Sequence, residues 1–138
     1  MADFVQDNQS LSVSPGTLRG LHFQRAPVEQ AKLVRVLQGS IFDVAVDIRP
    51  KSPTYGRWCG MSLSSEGGEQ LFIPRGFAHG FVTLEANTII SYKVDAPYSR
   101  EAEGGIRWNY PSLKIPWPLP ATGPILVERD RQLPFLEV

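Results

Sequence analysis

The sequence predicts an all-β fold, either an antiparallel β-barrel or a jelly roll, and three observations lead to this prediction. Short stretches rich in β-branched and aromatic residues recur along the chain. Twelve glycines and twelve prolines are scattered between these stretches and supply frequent turn signals. No window of the sequence shows the apolar spacing of an amphipathic helix. Many short strands joined by turns are typical of barrels and jelly rolls.

Six segments have the composition of strands, and the segment 41–48 shows the clearest pattern. Phe42, Val44 and Val46 alternate with residues such as Asp43, which is the period of two that gives a strand two different faces. The strands predicted in this way are residues 32–38, 41–48, 57–63, 70–73, 78–84 and 88–94.

The connections between these strands are short. The turn Gln38-Gly39-Ser40 predicts that the strands on either side of it form an antiparallel hairpin. Proline, glycine and serine mark the segments 49–56 and 64–69 as loops. From Tyr110 onward the chain is rich in proline, and we expect it to wrap the barrel with little regular structure. Without an internal repeat, residues 1–138 are expected to form a single domain.

Composition and charge exclude several classes of function. The 14 basic and 14 acidic side chains cancel, so the overall charge attracts neither nucleic acid nor a membrane surface. No apolar run approaches the ~20 residues of a membrane span, and no signal peptide is evident. Cys59 has no internal disulfide partner, which suits the cytoplasm, and we expect it to be a small core residue on a strand.

The two histidines of the chain lie in unusual surroundings. His22 and His79 each lie among apolar residues, with glycines where a strand would carry side chains. Glycine inside a strand marks a bulge or a close approach of two backbones, and histidine exchanges protons near neutral pH. A lone histidine in a strand is more often structural. Two of them in a barrel that can hold one small ligand indicate a functional site.

Strand alternation adds further candidates to this site. It places His22 on the same face as Gly20 and places Arg19 on the opposite face. Both side chains can enter one cavity only if the strand is irregular, and Gly20 is the natural position for a bulge. Tyr92 has the spacing of a core tyrosine whose hydroxyl finds a partner or meets a ligand, whereas Lys93 points away.

A metal site is one alternative use of these histidines. Residues 74–79 look like the second half of the cupin metal motif, but the first half, with its His-x-His pair, has no counterpart in residues 39–44. Two histidines and an uncertain carboxylate fall short of the three protein ligands of a catalytic metal site. The sequence also lacks a nucleophile elbow, a phosphate-binding loop and a dinucleotide fingerprint. We therefore expect neither a metal nor a cofactor.

Taken together, these segments resemble the dTDP-4-dehydrorhamnose 3,5-epimerase family of cupin-like sugar-nucleotide enzymes. The resemblance implies a cupin-like fold, a homodimer, and a cofactor-independent epimerase. Its substrate would be a nucleotide-linked 4-keto-6-deoxyhexose, with dTDP as the expected nucleotide, inverted at C3, C5 or both. The matching segments span nearly the whole chain: residues 4–10, 18–24, 32–36, 42–49, 52–56, 73–81, 92–93, 108–109 and 115–118.

The resemblance also implies a role for individual residues. His22 would be the base, with Asp130 as its carboxylate partner, and only the family pattern singles out Asp130. Lys32 would face the ketone and stabilise the enolate, and Tyr92 would be the acid on the opposite face. The implied substrate-binding residues include arginines suited to a diphosphate and a tyrosine suited to a nucleobase: Gln6, Asn8, Arg19, His79, Tyr98, Glu103 and Arg129.

One departure from the family pattern leaves alternatives open. The family has several dozen residues before the segment that starts here at Phe4, and part of its nucleotide site lies in them. We therefore expect a short form whose pocket binds its nucleotide weakly, takes those groups from elsewhere or is open. A single-position epimerase remains an alternative, as does a non-catalytic protein that binds sugar nucleotides on the same fold.

Overall fold

The structure, a computed structural model, describes residues 2–135 and confirms the predicted all-β fold. In this range the only α-helix spans four residues, so no described helix has the length and hydropathy of a membrane span. The elements in chain order are β1 (Gln6–Ser12), β2 (Leu18–Gln24), β3 (Lys32–Gln38), β4 (Ser40–Asp47), β5 (Trp58–Ser64), β6 (Gln70–Ile73), β7 (Phe77–Thr83), β8 (Thr88–Val94), β9 (Glu103–Gly105) and α1 (Glu128–Arg131).

The strands form two antiparallel sheets. Sheet 1 has the order β1-β8-β3-β6, and sheet 2 has the order β5-β4-β7-β2-β9. A cluster of buried apolar side chains joins the two sheets, with Val34 and Ile90 from sheet 1 and Ile41 and Leu63 from sheet 2. Burial of such side chains is the main stabilising contribution of a two-layer fold.

The predicted hairpin at Gly39 is wrong. β3 pairs with β8 and β6, whereas β4 pairs with β5 and β7, so the chain passes from sheet 1 to sheet 2 at this turn. Both edges of β3 are already occupied, and the two strands meet instead through the core, where Val36 and Ile41 belong to one cluster. Gly39 has a φ of +86°, and a Cβ there would collide with Thr88. The turn therefore requires glycine.

All six strands predicted from composition are present, each within one residue of the predicted ends. The segment around His22 forms β2. β1 was not predicted, because its sequence is mostly polar and its residues alternate between partly buried and exposed positions. β9, with three residues, and α1, with four, are too short to give a sequence signal.

The proline-rich segment that begins at Tyr110 packs against the outer face of sheet 2, as predicted. Leu113 is buried in a second apolar cluster with Val44 and Val46 of β4. The indole of Trp58 donates a hydrogen bond to the carbonyl of Leu113 and fixes this segment in place. The apolar face of β4 therefore points away from sheet 1, and its other face, which carries Asp43, points between the sheets.

The prediction that Cys59 is a core residue is wrong, because its side chain is exposed. Cys59 lies on β5, which is at the edge of sheet 2 and pairs only with β4. A residue on an edge strand has a neighbouring strand on one side only, so alternation alone does not ensure burial.

Candidate active site

An open cavity of about 410 Å³ lies between the inner faces of the two sheets, which is a volume suited to a small ligand. Asp130, one of the site residues predicted from the sequence, lies behind His22 and is buried. The other ten predicted residues line the cavity: Gln6, Asn8, Arg19, His22, Lys32, His79, Tyr92, Tyr98, Glu103 and Arg129.

A bulge in β2 brings two of these side chains to the same face. Arg19 lies opposite Phe81 and His22 lies opposite His79, so two residues of β2, the first of them Gly20, oppose a single residue of β7. One extra residue shifts the alternation by one position, and Arg19 and His22 then both point into the cavity. The irregularity predicted at Gly20 is confirmed.

Two glycines allow this bulge. A Cβ added to Gly20 would lie 2.6 Å from the Cα of Gly80, and one added to Gly80 would lie 2.7 Å from the carbonyl oxygen of Arg19. Gly20 also has a φ of +122°, which side chains disfavour. The close approach of two backbones, which the sequence indicated, therefore aims Arg19 into the cavity.

His22 forms a close pair with a buried carboxylate. Its Nε2 is 2.7 Å from Oδ1 of Asp130, and Oδ2 of Asp130 accepts a hydrogen bond from the backbone N–H of Gly20 at 3.1 Å. Burial raises the pKa of the Asp130 carboxyl. The hydrogen bond and charge of His22, the Gly20 amide and the charge of Arg129 outweigh that effect, so the pKa lies below its ordinary value. A carboxylate at Nε2 holds the ring proton there and leaves Nδ1 to accept another.

Lys32 supplies a cation to the opposite side of the cavity. It is 9% exposed, and its Nζ lies 5.9 Å from the centre of the Tyr92 ring. Burial lowers the pKa of Lys32 to about 8, although the negative charges of Asp43 and Glu103 oppose the shift. The side chain is therefore an ammonium group at neutral pH, and it lines the cavity without an ion-pair partner among the described residues.

Tyr92 lies on β8, opposite Asn8 of β1, and points to the inner face of sheet 1. Burial raises its pKa, and the charge of Arg19 opposes the shift only in part. The side chain is therefore a phenol that can donate a proton. Lys93 points away from the cavity and pairs with Asp7 at 3.0 Å, as the alternation predicted.

A second pair of histidine and aspartate lies in the wall of the cavity. Nε2 of His79 is 2.7 Å from Oδ1 of Asp43, and their side chains are 6% and 0% exposed. Oδ2 of Asp43 has no hydrogen-bond partner among residues 2–135. Sequence analysis did not identify Asp43, although it noted the polar face of β4 on which Asp43 lies.

Charged side chains also gather at the exposed end of the cavity. Arg129 donates two hydrogen bonds to the carboxylate of Glu103, and the Tyr98 hydroxyl donates to the same carboxylate. Tyr98 is 53% exposed, and its backbone N–H donates to Oε1 of Gln6 at 3.1 Å. An exposed ring held by hydrogen bonds on two sides is suited to stacking on a flat ligand.

Gln24 is another residue that sequence analysis missed. Its side chain donates to the carbonyls of Val28 and Pro97, and it accepts a hydrogen bond from the backbone N–H of Ser99. These contacts fix the backbone on both sides of Tyr98. A single glutamine at the end of a strand carries no pattern from which such a role can be predicted.

The cavity also contains the guanidinium of Arg19, which is partly buried. Nε of Arg19 is buried and has no hydrogen-bond partner among the described residues. Arg19 and Lys32 together give the cavity two cations suited to an anionic or electron-rich ligand. Within residues 2–135, no three histidine, cysteine, aspartate or glutamate side chains come together as a metal ion would require.

Comparisons with known proteins agree on one family. The model of the family described as dTDP-4-dehydrorhamnose 3,5-epimerase matches residues 1–137. A protein of that name from Sinorhizobium fredii is 56% identical over 132 residues, which are 96% of this chain and 67% of the relative.

Solved structures of the same family have the same fold. The chain superposes on a dTDP-4-dehydrorhamnose 3,5-epimerase from Bacillus anthracis, solved with TDP and PPi bound, with a TM-score of 0.95 at 52% identity, covering 98% of this chain and 76% of that one. A dTDP-6-deoxy-D-glucose-3,5-epimerase from Legionella pneumophila, solved in complex with dTDP-4-keto-L-rhamnose, gives a TM-score of 0.92 at 47% identity, covering 97% and 70%.

Proposed function

The chain belongs to the dTDP-4-dehydrorhamnose 3,5-epimerase family, and from this membership we propose that it inverts C3 and C5 of a dTDP-linked 4-keto-6-deoxyhexose. The family, the cupin-like fold and the isomerase class predicted from the sequence are confirmed. The substrate, the mechanism and the roles of individual residues are proposals, and the cytoplasmic location stays a prediction.

The chemistry of the substrate requires acid and base groups on opposite sides of the sugar. The C4 ketone makes the protons on C3 and C5 acidic, and inversion needs a proton removed from one face and another returned to the opposite face. The observation that carries the proposal is that His22 extends from sheet 2 and Tyr92 from sheet 1 into one cavity. A hexose held between them would have the base on one face and the acid on the other.

We assign proton removal to His22. Its Nδ1 takes the proton from carbon, and the electron pair of the C–H bond moves to the ketone oxygen to give an enolate. The carboxylate of Asp130, 2.7 Å from Nε2, stabilises the imidazolium that forms. Tyr92 then donates its phenolic proton to the same carbon from the opposite face. The tyrosinate then takes a proton from water, and the imidazolium of His22 gives its proton to the hydroxide that this leaves, so both residues return to their starting forms.

Lys32 stabilises the enolate in this scheme. Its ammonium group is buried in the cavity near Tyr92, where a charge acts more strongly than it would in water. A fixed donor at a developing oxyanion contributes roughly 3–4 kcal/mol to lowering the barrier. We assign Arg19 to the diphosphate, and Tyr98, with Glu103 and Arg129 beside it, to the nucleoside end of the substrate.

Deuterium exchange tests this proposal. The protein is incubated with dTDP-4-keto-6-deoxyglucose in heavy water, and NMR reports where deuterium enters the sugar. Incorporation at both C3 and C5 is expected. Incorporation at one carbon alone would indicate a single-position epimerase, and binding without incorporation would indicate the non-catalytic alternative.

We also propose that the chain forms a homodimer, as the family resemblance implies. Sheet 1 leaves apolar side chains uncovered on the face turned away from the cavity: Leu11, Leu37 and Phe72 are 53%, 41% and 50% exposed. Apolar groups exposed together on one face are typical of an interface. Sedimentation analysis is expected to give twice the mass of the chain, with a shift toward monomer in Phe72→Lys. A monomeric wild type would contradict the proposal.

A further inference from the structure

Asp43 is a buried charged residue that the proposed mechanism does not use. Its side chain is fully buried on β4, Oδ1 is 2.7 Å from Nε2 of His79, and Oδ2 has no hydrogen-bond partner among the described residues. A carboxylate oxygen left unpaired in the interior is costly to stability. Packing alone therefore gives no reason for an aspartate at this position.

We propose that Asp43 is a positioning residue of the active site, which fixes the ring of His79 and keeps Lys32 in its charged form beside the substrate ketone. Asp43 does not line the cavity, so it acts through the two residues that do. This inference rests on the function proposed above.

The contact with His79 fixes both the orientation and the tautomer of that ring. The carboxylate accepts the proton on Nε2, so rotation of the ring would break a buried hydrogen bond. His79 lies between β4 and β2 in the middle of sheet 2 and is 6% exposed. The ring therefore presents one fixed edge to the cavity.

The effect on Lys32 is electrostatic. Two negative charges oppose the deprotonation of Lys32. Asp43 has the larger effect and Glu103 the smaller. Glu103 is paired with Arg129, which offsets its charge, whereas Asp43 contacts a histidine that is charged only when protonated. The other charged or titratable groups that line the cavity come from several elements: Arg19 and His22 on β2, His79 on β7, Tyr92 on β8 and Tyr98 in the segment after β8.

Asp43 is therefore the main charge that stabilises the ammonium form of Lys32. Burial lowers the pKa of Lys32 to about 8 even with Asp43 present. Without the carboxylate, the pKa would fall further, and a larger fraction of Lys32 would be neutral at pH 7 than in the wild type. A neutral amine cannot stabilise the enolate by charge.

The variant Asp43→Asn tests this inference, because asparagine has the same shape and can still accept a hydrogen bond from His79 but has no charge. Exchange at C3 and C5 is measured from pH 6 to pH 10. The decline at high pH, expected near pH 8 in the wild type, should move to lower pH. A second measurement, titration of the Lys32 side chain by ¹³C NMR without substrate, should show the same shift.

Asp47→Asn is the matched control. Asp47 lies on the same strand and is also buried, but both oxygens of its carboxylate are engaged by hydrogen bonds from Arg49, Ser52 and Thr54. We expect this variant to be less stable to heat, since it loses charge-assisted hydrogen bonds, without any movement of the pH profile.

The outcomes separate the inference from the proposed function. No exchange by the wild type would contradict the proposed function, and the NMR titration would still test the inference. If Lys32 titrated at the same pH in Asp43→Asn as in the wild type, the inference would be overturned. Asp43→Ser, which also lacks the charge, serves if the asparagine variant does not fold. If Asp43→Asn and Asp43→Ser both failed to fold while Asp47→Asn folded, Asp43 would serve stability alone, and the inference would be overturned as well.

Discussion

The two pairs of histidine and aspartate in the cavity have the same contact but different surroundings. In both, Nε2 of the histidine lies 2.7 Å from Oδ1 of the aspartate. The His22 side chain is 26% exposed, and the second oxygen of Asp130 is bound by the Gly20 amide. His79 is 6% exposed, and the second oxygen of Asp43 is unpaired within the described residues. One contact can therefore serve two purposes, according to what surrounds it.

The surroundings suit the first pair to proton transfer and the second to positioning. A base must reach the substrate, and its carboxylate partner must stay ionised while the ring gains charge; the Gly20 hydrogen bond on Asp130 meets that need. The other pair is more deeply buried, so its ring has little freedom, and the charge of a carboxylate with one oxygen unpaired among the described residues acts more strongly on its neighbours than it would in water. Three predictions test this distinction.

The largest difference is expected between glutamine variants of the two histidines. His22→Gln should lower the rate of exchange at C3 and C5 by ~10²–10⁴, because it removes the general base. His79→Gln keeps an amide that can donate to Asp43, so its loss of rate should be clearly smaller than that of His22→Gln. Single-turnover exchange kinetics measure both, and dTDP binding should change little in His22→Gln. Equal losses in the two variants would remove the distinction between the pairs.

A smaller loss is expected when Lys32, the proposed target of Asp43, is replaced. Lys32→Met keeps the length of the side chain and removes its charge, so the rate should fall by roughly 10²–10³, the usual cost of one oxyanion donor. The wild-type rate should also decline as the pH rises through about 8, where Lys32 loses its proton. That decline should be missing from the variant.

Lys93→Met is the control for this experiment. Lys93 is on β8, points away from the cavity and pairs with Asp7, so its replacement should leave both the rate and the pH profile unchanged. A decline near pH 8 that persists in Lys32→Met would show that another group is responsible for it.

The fold was largely predictable from the sequence, because strand alternation and turn residues are local signals. The Gly39 turn shows the limit: a glycine between two strands indicates a sharp reversal but does not reveal whether the strands pair or enter different sheets. Alternation in β4 likewise indicates two different faces without indicating which is internal. The face with Val44 packs under the C-terminal segment, and the face with Asp43 points between the sheets.

The candidate site was predictable only in part. The glycine near His22 indicated the bulge, because a glycine inside a strand is a signal that can be seen in the local sequence. Asp130 is 108 residues away from His22 and was identified by family resemblance alone. Asp43 and Gln24 were missed because their importance comes from contacts across strands that are far apart in sequence. Local patterns carry no information on such contacts.

The smallest effect is expected in stability, and it separates the two carboxylates. Asp130→Asn loses ionic hydrogen bonds to His22 and Gly20, which should lower the free energy of unfolding at pH 7 by about 1–3 kcal/mol. Asp43→Asn removes a charge with one unpaired oxygen and keeps an acceptor for His79, so its stability should stay within about 1 kcal/mol of the wild type. Urea denaturation measures both values.

The pH dependence of the Asp130 effect follows from its lowered pKa. Because the pKa in the folded state is below the ordinary value of 3.8, the carboxylate contributes stability fully above that value and loses the contribution as the pH falls toward the folded-state pKa. The difference between wild type and Asp130→Asn should therefore shrink as the pH falls below about 4. A difference that went on growing below about pH 4 would mean that Asp130 does not lose its charge there as a carboxylate with a lowered pKa does, and the two pairs would then lose the contrast on which their separate roles depend.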